Sequence, residues 1–210
     1  MSTKLISTGD NSVSILKTPV IAISEDDKNL LKLSVDKWAK NAKEMKIHKP
    51  IKFIAERDKL LIEWLFNTGM RISDALVIKY RDIDMQKEEV TFIVKKRSKL
   101  KPFLHTISLD KSILFEIQRF KEMFLLKPED RIFQISRSTF DDNLVKYCAL
   151  AGLQKYSAHK FRHGCAMKDL ADGHPDFVTA YRLAHSSTSV TNSTYRRMSS
   201  DIERVFRQRK

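Results

Sequence analysis

Apolar residues recur along much of the chain at the spacing of amphipathic helices. The capping-box sequence SEDD begins at Ser24 and is followed by an apolar residue at every third or fourth position until Pro50. A first helix is therefore predicted between these two residues, and a second from about 54 to 68 with Gly69 as its left-handed C-cap. A short helix capped by Ser73 is predicted to follow, so that Arg71 would lie at the break between the two helices.

Two later segments have the composition of β-strands. EVTFIVKK and FLHTISL cluster β-branched and aromatic residues on either side of a basic turn, which predicts a β-hairpin. Helical spacing then returns over 110–126, 138–150, 157–171 and 175–184, and a last amphipathic segment, DIERVFRQRK, covers 201–210. The predicted fold class is mainly α with a small antiparallel β-sheet (α+β).

The charge of the chain favours a polyanionic partner. The 210 residues include 39 Lys and Arg against 26 Asp and Glu, a formal net charge of +13. Basic side chains gain affinity for nucleic acid by releasing the counterions condensed on its phosphates. A basic surface that serves only solubility is the alternative.

The cysteines and the apolar runs help to predict the cellular compartment of the protein. Cys148 and Cys165 both lie in apolar helical context and do not suggest a disulfide scaffold, which favours a reducing compartment. No apolar run approaches the ~18 residues of a membrane helix, and the first residues do not read as a signal peptide. We therefore expect a cytoplasmic, nucleoid-associated protein with no membrane partner.

The motif SAHKFRHG concentrates proton-carrying and cationic groups on one helical turn. His159, Arg162 and His163 are spaced i, i+3 and i+4 and so share a face, while Phe161 and Cys165 point into the core. Arginine beside imidazole suits an oxyanion such as phosphate. Two alternatives stay open: Arg162 could pair with a carboxylate among packing histidines, or the two histidines could bind zinc, although no HExxH glutamate or cysteine pair accompanies them.

Three segments, taken together, resemble the signature motifs of the tyrosine recombinase (phage integrase) family. They are NTGMRISDAL at 67–76, SAHKFRHG at 157–164 and RLAHSSTSVTNSTY at 182–195, in that order. The resemblance covers about residues 20 to 200, which correspond to the family's catalytic domain. It implies cleavage and rejoining of DNA strands through a covalent 3′-phosphotyrosine, in integration, excision or inversion of DNA, without a cofactor or metal ion.

The resemblance also implies a role for single residues. Arg71 and Arg162 would grip the scissile phosphate with His159 beside them, His185 would be the second histidine and Tyr195 the nucleophile. Asp74, three residues after Arg71, would orient neighbouring groups. In the basic turn KKRSKLK, Lys99 is our choice for the lysine that protonates the leaving oxygen, and Lys96 is the alternative. The DNA backbone contacts would come from the same turn, from Lys95, Lys96, Arg97 and Lys101.

The resemblance finally suggests an organisation for the whole chain. We expect a loose arm over 1–20, a catalytic domain over 21–198 and a basic tail helix over 199–210, as in a small member lacking the N-terminal core-binding domain. The expected partner is double-stranded DNA, on which the protein would form a homotetramer from monomers free in solution. A type IB topoisomerase, a hairpin resolvase and a catalytically silent DNA-binding regulator are the alternatives.

Overall fold

A computed structural model describes residues 22–45, 50–94 and 102–184. Within these ranges the chain forms helices with a small antiparallel sheet, and the predicted fold class is confirmed. The helices are α1 (Glu25–Glu44), α2 (Ile51–Thr68), α3 (Ile72–Ala75), α4 (Lys111–Met123), α5 (Arg137–Ala151), α6 (Ala158–Ala171) and α7 (Asp176–Arg182). The strands are β1 (Ile83–Asp84), β2 (Glu89–Val94) and β3 (Phe103–Ser108). The predicted arm and tail helix lie outside the described residues.

The helix ends follow the local sequence signals. The hydroxyl of Ser24 accepts a hydrogen bond from the Asp27 amide at 3.0 Å, which is the predicted N-cap of α1. Gly69 ends α2 and Gly152 ends α5, both in the left-handed conformation that an L side chain disfavours. The predicted start of α2 was too late, because the carbonyl of Pro50 already accepts the Ile54 amide at 3.0 Å.

The segment after Gly69 differs from the prediction. Ser73 does not cap a helix; α3 begins at Ile72, has Arg71 as its extended N-cap and ends at Ala75. The chain then turns into a short 3-10 helix, Tyr80–Asp82, because the Asp82 carboxylate accepts the Lys79 amide at 2.8 Å. Arg71 therefore lies at a break between two helices, as the sequence predicted.

The three strands pair in the order β1-β2-β3, and the hairpin prediction is confirmed by the register of β2 and β3. Val90 lies opposite Ile107, and Phe92 lies opposite His105. These side chains alternate with exposed ones, so one face of the sheet packs on the core. The sequence missed β1, because two residues are too short to show an alternating pattern.

Helix α2 is the centre of the core. Its Leu61, Ile62, Trp64 and Leu65 are fully buried, and it packs against α1, α4 and α6. Full burial of each such side chain is worth about 1.5–3 kcal/mol. Because α2 is fixed on several sides, its C-terminal end is a rigid platform for the residues that follow Gly69.

A buried polar network fixes α5 to the same helix. Asp58 of α2 is fully buried, and its carboxylate accepts hydrogen bonds from Arg57 at 2.9 Å, Asn143 at 2.9 Å and Tyr147 at 2.7 Å. Buried polar groups persist where they are satisfied in this way. The network sets the position of α5, whose first turns line the candidate site.

Candidate active site

A cavity of about 420 Å³ lies between the end of α2, the first turns of α5 and the start of α6. Arg71, His159 and Arg162 line it together, and Arg137 and Lys155 add two further basic side chains. The structure thus brings together three of the residues that the sequence singled out, although the two motifs that contain them are far apart along the chain. Asp141 and Asp142 also line the cavity, and the Asp141 carboxylate lies 3.5 Å from Arg137. Four cationic side chains against two carboxylates still make the cavity suitable for an anion.

Arg71 reaches the cavity from the turn that follows α2. Its carbonyl accepts hydrogen bonds from the amides of Asp74 and Ala75, both at 2.9 Å, so the backbone at the N-cap of α3 is fixed. The side chain is partly exposed and lines the cavity. A guanidinium in such a position can offer several N–H donors to an oxyanion.

Arg162 enters the same cavity from α6 but is much more buried. Its side chain belongs to a residue that is only 4% exposed, and Nη1 donates to the Gly69 carbonyl at 2.8 Å. Nη2 donates to the carbonyl of Leu183, at the C-terminal end of α7. Arg162 therefore connects the end of α2 to the end of α7. The sequence placed Arg162 correctly on the face of His159 and His163, but gave no sign that backbone carbonyls would surround it.

The two histidines of α6 contact each other edge to face, with ring centroids 4.7 Å apart. Partial burial lowers the pKa of His159, and the positive charges of Arg162 and Lys160 lower it further. Burial also lowers the pKa of His163, to about 4. Both rings are therefore neutral near pH 7, and a neutral imidazole can accept a proton.

Asp74 is buried directly behind the Arg71 turn. The residue is 3% exposed, and its carboxylate accepts a hydrogen bond from the Ser73 hydroxyl at 3.4 Å. This position lies next to the cavity lining that Arg71, Ile72 and Ser73 provide. The predicted role of Asp74 in orienting neighbouring groups stays a prediction.

The remaining predicted site residues lie outside the described part of the chain. They are Lys95, Lys96, Arg97, Lys99 and Lys101 of the basic turn, together with His185 and Tyr195 of the third motif. The described chain stops before each of these segments, at Val94 and at Ala184. Their predicted roles stay predictions.

The described residues contain neither a metal-binding cluster nor a membrane-spanning helix. Across 22–45, 50–94 and 102–184, no group of three or more His, Cys, Asp or Glu side chains is arranged to hold a metal ion. In the same ranges no helix is both long and apolar enough to cross a membrane.

Close to Arg162, the structure reveals a buried histidine that the sequence did not single out. His105 of β3 is 6% exposed, and its ring lies 4.8 Å from that of Tyr181 and 5.6 Å from that of Phe92. Burial lowers the pKa of His105, and the charge of Arg162 contributes in the same direction. The alternation of β3 could have indicated its inward position, but the contact with α7 is tertiary.

A partly buried ion pair was also missed. Arg182 of α7 donates to the Asp169 carboxylate of α6, with Nη1 and Oδ1 3.1 Å apart. Asp169 follows Arg162 by seven residues, two helical turns, and therefore lies on the same face of α6. The sequence shows this spacing, but it does not show that Asp169 has Arg182 of α7 as its partner.

Comparison with known proteins identifies the class to which this helical fold belongs. The model of the phage integrase family matches residues 35–201, which is most of the chain. The chain therefore belongs to the phage integrase family, as the three motifs indicated, and its curated relatives are named tyrosine recombinases.

The relatives are distant and longer than this chain. Tyrosine recombinase XerD of Yersinia pestis is 27% identical over 148 residues, which cover 64% of this chain and 48% of that protein. Tyrosine recombinase XerC of Caldanaerobacter subterraneus subsp. tengcongensis is 31% identical over 151 residues, 65% of this chain and 40% of that protein. The chain thus spans about half the length of the curated relatives it matches.

Solved structures share the fold. The XerA recombinase superposes with a TM-score of 0.64 at 17% identity, over 88% of this chain and 66% of that one. The XerH recombinase bound to palindromic difH in a post-cleavage complex gives a TM-score of 0.63 at 19% identity, covering 90% and 53%. The catalytic domain of bacteriophage HP1 integrase gives 0.56 at 19% identity, covering 84% and 88%. At these identities the likeness establishes the fold.

Proposed function

We propose that this protein is a site-specific DNA recombinase that breaks and rejoins DNA strands through a covalent phosphotyrosine at Tyr195. The observation that carries the proposal is the shared cavity of Arg71, His159 and Arg162, because these residues come from two separate family motifs. Two guanidinium groups placed in advance around a phosphate stabilise the negative charge that develops on its oxygens.

The proposed reaction conserves the energy of the broken bond. The Tyr195 oxygen attacks phosphorus, a bond from that oxygen to phosphorus forms, and the bond from phosphorus to the 5′ oxygen breaks. Arg71 and Arg162 bind the non-bridging oxygens of the five-coordinate phosphorus throughout. Attack by a second DNA 5′ hydroxyl reverses the step, so that strands rejoin without ATP.

Two proton transfers accompany the cleavage. The imidazole of His159 accepts the phenolic proton of Tyr195. The lowered pKa of His159 keeps its ring neutral at neutral pH and therefore able to accept this proton. Lys99, with Lys96 as the alternative, donates the proton that the departing 5′ oxygen needs. Acid–base assistance of this kind contributes roughly 10²–10⁴-fold in rate. His185 is proposed to add a hydrogen bond to the phosphate.

Double-stranded DNA is the proposed substrate and partner. The net charge of +13 supports it, as does the basic turn that contains Lys95, Lys96, Arg97 and Lys101. Among the structural neighbours, XerH is bound to its difH substrate, and the Tn1549 transposon integrase is in complex with circular intermediate DNA. We propose that the present chain binds DNA as well.

We also propose the organisation of the chain around this chemistry. Residues 21–198 would form the catalytic unit, preceded by an arm over 1–20. The basic amphipathic segment 199–210 would dock on a neighbouring protomer within a tetramer on DNA, since Ile202, Val205 and Phe206 give it an apolar stripe.

A covalent capture experiment tests the proposed function. The protein is incubated with a pool of nicked DNA duplexes with a randomised central segment, enriched beforehand for bound sequences, and adducts that resist denaturant are collected. We expect wild type to give an adduct whose DNA-linked peptide contains Tyr195, and Tyr195→Phe to give none. DNA binding without an adduct would identify a silent regulator and overturn the proposal. Relaxation of supercoiled plasmid without exchange between two captured sites would identify a topoisomerase instead.

A further inference from the structure

The ion pair between α6 and α7, of which Asp169 is buried and Arg182 is partly exposed, lies outside the candidate cavity but next to Arg162. Asp169 is 2% exposed, and Arg182 Nη1 lies 3.1 Å from its Oδ1. The same nitrogen lies 3.4 Å from the carbonyl oxygen of Asn67, near the end of α2. Arg182 therefore attaches α7 to α6 and to α2 at once.

Arg162 makes the reciprocal attachment. Its guanidinium, on α6, donates to the carbonyl of Leu183, the residue after Arg182, and to that of Gly69. Both arginines thus use carbonyls near the C-terminal end of α2, where backbone acceptors lack helical partners and a positive charge is favoured. The Leu183 carbonyl, which accepts a hydrogen bond from Arg162, belongs to the residue directly after Arg182. The contacts of Arg182 therefore fix the position of this carbonyl.

The ion pair is poorly suited to a purely stabilising role. Burial raises the pKa of Asp169, and the opposing positive charges of Arg182, His174 and Lys168 do not offset it. The second carboxylate oxygen, Oδ2, is buried with no partner at hydrogen-bond geometry, and the nearby hydroxyl of Thr179 on α7 adds only a weak interaction. An apolar pair of similar volume often stabilises a fold as well or better. What an ion pair adds is a fixed distance and direction between two helices.

We propose that Asp169 and Arg182 are positioning residues that fix the end of α7 against Arg162 and thereby set the orientation of the Arg162 guanidinium in the cavity. The proposal rests on the function proposed above for Arg162. If the pair is lost, the Leu183 carbonyl shifts and Arg162 loses one of two anchors. A displacement of about 1 Å in a catalytic group can slow a reaction about 100-fold.

The test compares variants that remove the hydrogen bond with one that retains it. Arg182→Met keeps the packing of the side-chain stem but has no donor, and Asp169→Leu removes the acceptor. Asp169→Asn keeps an acceptor oxygen for Arg182. Lys168→Gln is the matched control, because it breaks the exposed Lys168–Asp172 pair, 2.7 Å apart, on the same helix. The double variant Asp169→Leu/Arg182→Met removes both charges and remains available if a single variant does not fold.

Adduct formation is measured in a single turnover at saturating protein, on duplexes captured with wild type, and DNA affinity is measured by gel shift. We expect Arg182→Met and Asp169→Leu to react roughly 10–100-fold more slowly with DNA affinity unchanged. The double variant should be no slower than either single variant, because the pair acts as a unit. Asp169→Asn and Lys168→Gln should react like wild type. Leucine and methionine variants that react at the wild-type rate would refute the proposal, as would a parallel loss of DNA affinity.

Hydrogen exchange gives a readout that does not depend on catalysis. The amide of Leu183 donates to the Thr179 carbonyl at 3.0 Å in the last turn of α7. We expect a peptide covering 176–184 to exchange faster in Asp169→Leu and Arg182→Met, and at the wild-type rate in Asp169→Asn and Lys168→Gln. If wild type forms no adduct, the proposed function fails, whereas unchanged exchange in the leucine and methionine variants shows that the positioning inference is wrong.

Discussion

The two arginines of the cavity have the same predicted chemistry but very different surroundings. Arg71 lies at the N-cap of a four-residue helix, is partly exposed and reaches the cavity from a turn. Arg162 lies on a long helix, is almost fully buried, and donates to the backbone carbonyls of Gly69 and Leu183. Arg162 therefore stabilises the fold as well as lining the site, whereas among the described residues Arg71 is held by hydrogen bonds of its backbone alone.

This contrast separates two contributions that the family motifs do not distinguish. A residue that only binds the reacting group can be removed without loss of stability, because the protein around it is unchanged. A residue whose donors also satisfy buried carbonyls leaves those carbonyls unpaired when it is removed. The two arginines should therefore respond alike in chemistry and differently in stability.

The largest expected effect is on strand cleavage. We expect Arg71→Ala and Arg162→Ala each to slow adduct formation by about 10³-fold, because each removes a stabilising group from the phosphorus transition state. Lysine at either position should recover only part of the rate, since it lacks the planar pair of donors. The measurement is the single-turnover rate on a captured duplex. An Arg71→Ala variant that cleaves at the wild-type rate would show that Arg71 has no role in the active site.

The next effect distinguishes the two arginines. We expect Arg162→Ala to lower the free energy of unfolding by about 2–5 kcal/mol, because two buried carbonyl groups lose their donor. Arg71→Ala should change it by less than about 0.5 kcal/mol. Urea denaturation followed by circular dichroism measures both. Equal losses in the two variants would contradict the contrast drawn from burial.

Much of the Arg71 side of the cavity could be predicted from the sequence. The apolar period of α2 and the glycine that ends it place Arg71 at a helix break, and the left-handed conformation of Gly69 confirms that interpretation. These features depend on neighbours within a few residues. Ser73 was assigned wrongly as a cap, because the chain had already entered α3 at Ile72.

The surroundings of Arg162 could not be predicted in the same way. Helical spacing correctly grouped Arg162 with His159 and His163, but its partners are main-chain carbonyls of other elements, which have no sequence signature. The ion pair of Asp169 with Arg182 is similar, since only the arrangement of α6 beside α7 joins the two residues. Local patterns therefore identify which groups enter the site, and tertiary packing decides how each one is held.

Gly69 is the point at which the two regions meet, and its replacement should have the third largest effect. Gly69→Ala and Gly152→Ala place a Cβ on left-handed backbones with φ of 60° and 69°. The new Cβ at Gly69 would clash with the Leu183 side chain and lie 3.0 Å from Cys165 Sγ, whereas at Gly152 nothing lies within 4 Å.

The two glycine variants therefore form a matched pair. We expect Gly152→Ala to lose about 1 kcal/mol of unfolding free energy from backbone strain alone. Gly69→Ala should lose about 1–3 kcal/mol more through the clash. It should also slow adduct formation, because Leu183 carries a carbonyl that holds Arg162. Equal losses in the two variants would show that Leu183 moves aside without consequence.

The smallest expected effect concerns acid, and it sharpens the Arg162 side of the comparison. Burial lowers the pKa of His163, beside Arg162, to about 4. Between about pH 6.5 and 4 the unfolded chain therefore binds a proton that the folded chain does not, so stability is complete above this range and falls as the pH falls through it. His163→Gln should reduce the loss between pH 7.5 and 5 by about 1 kcal/mol, allowing for solvent screening of a partly buried ring.

Replacement of the exposed His174 by Gln is the control for this acid sensitivity. His105 and His159 also have lowered pKa values and contribute with the same sign, so both His163→Gln and wild type should still lose stability in acid. Urea titrations at the two pH values measure the difference between the variants. Because His163 lies on α6 next to the guanidinium that joins α2 and α7, its protonation should loosen the Arg162 region before it affects the turn of Arg71. An equal reduction in His174→Gln would assign the acid sensitivity to the surface and not to this helix.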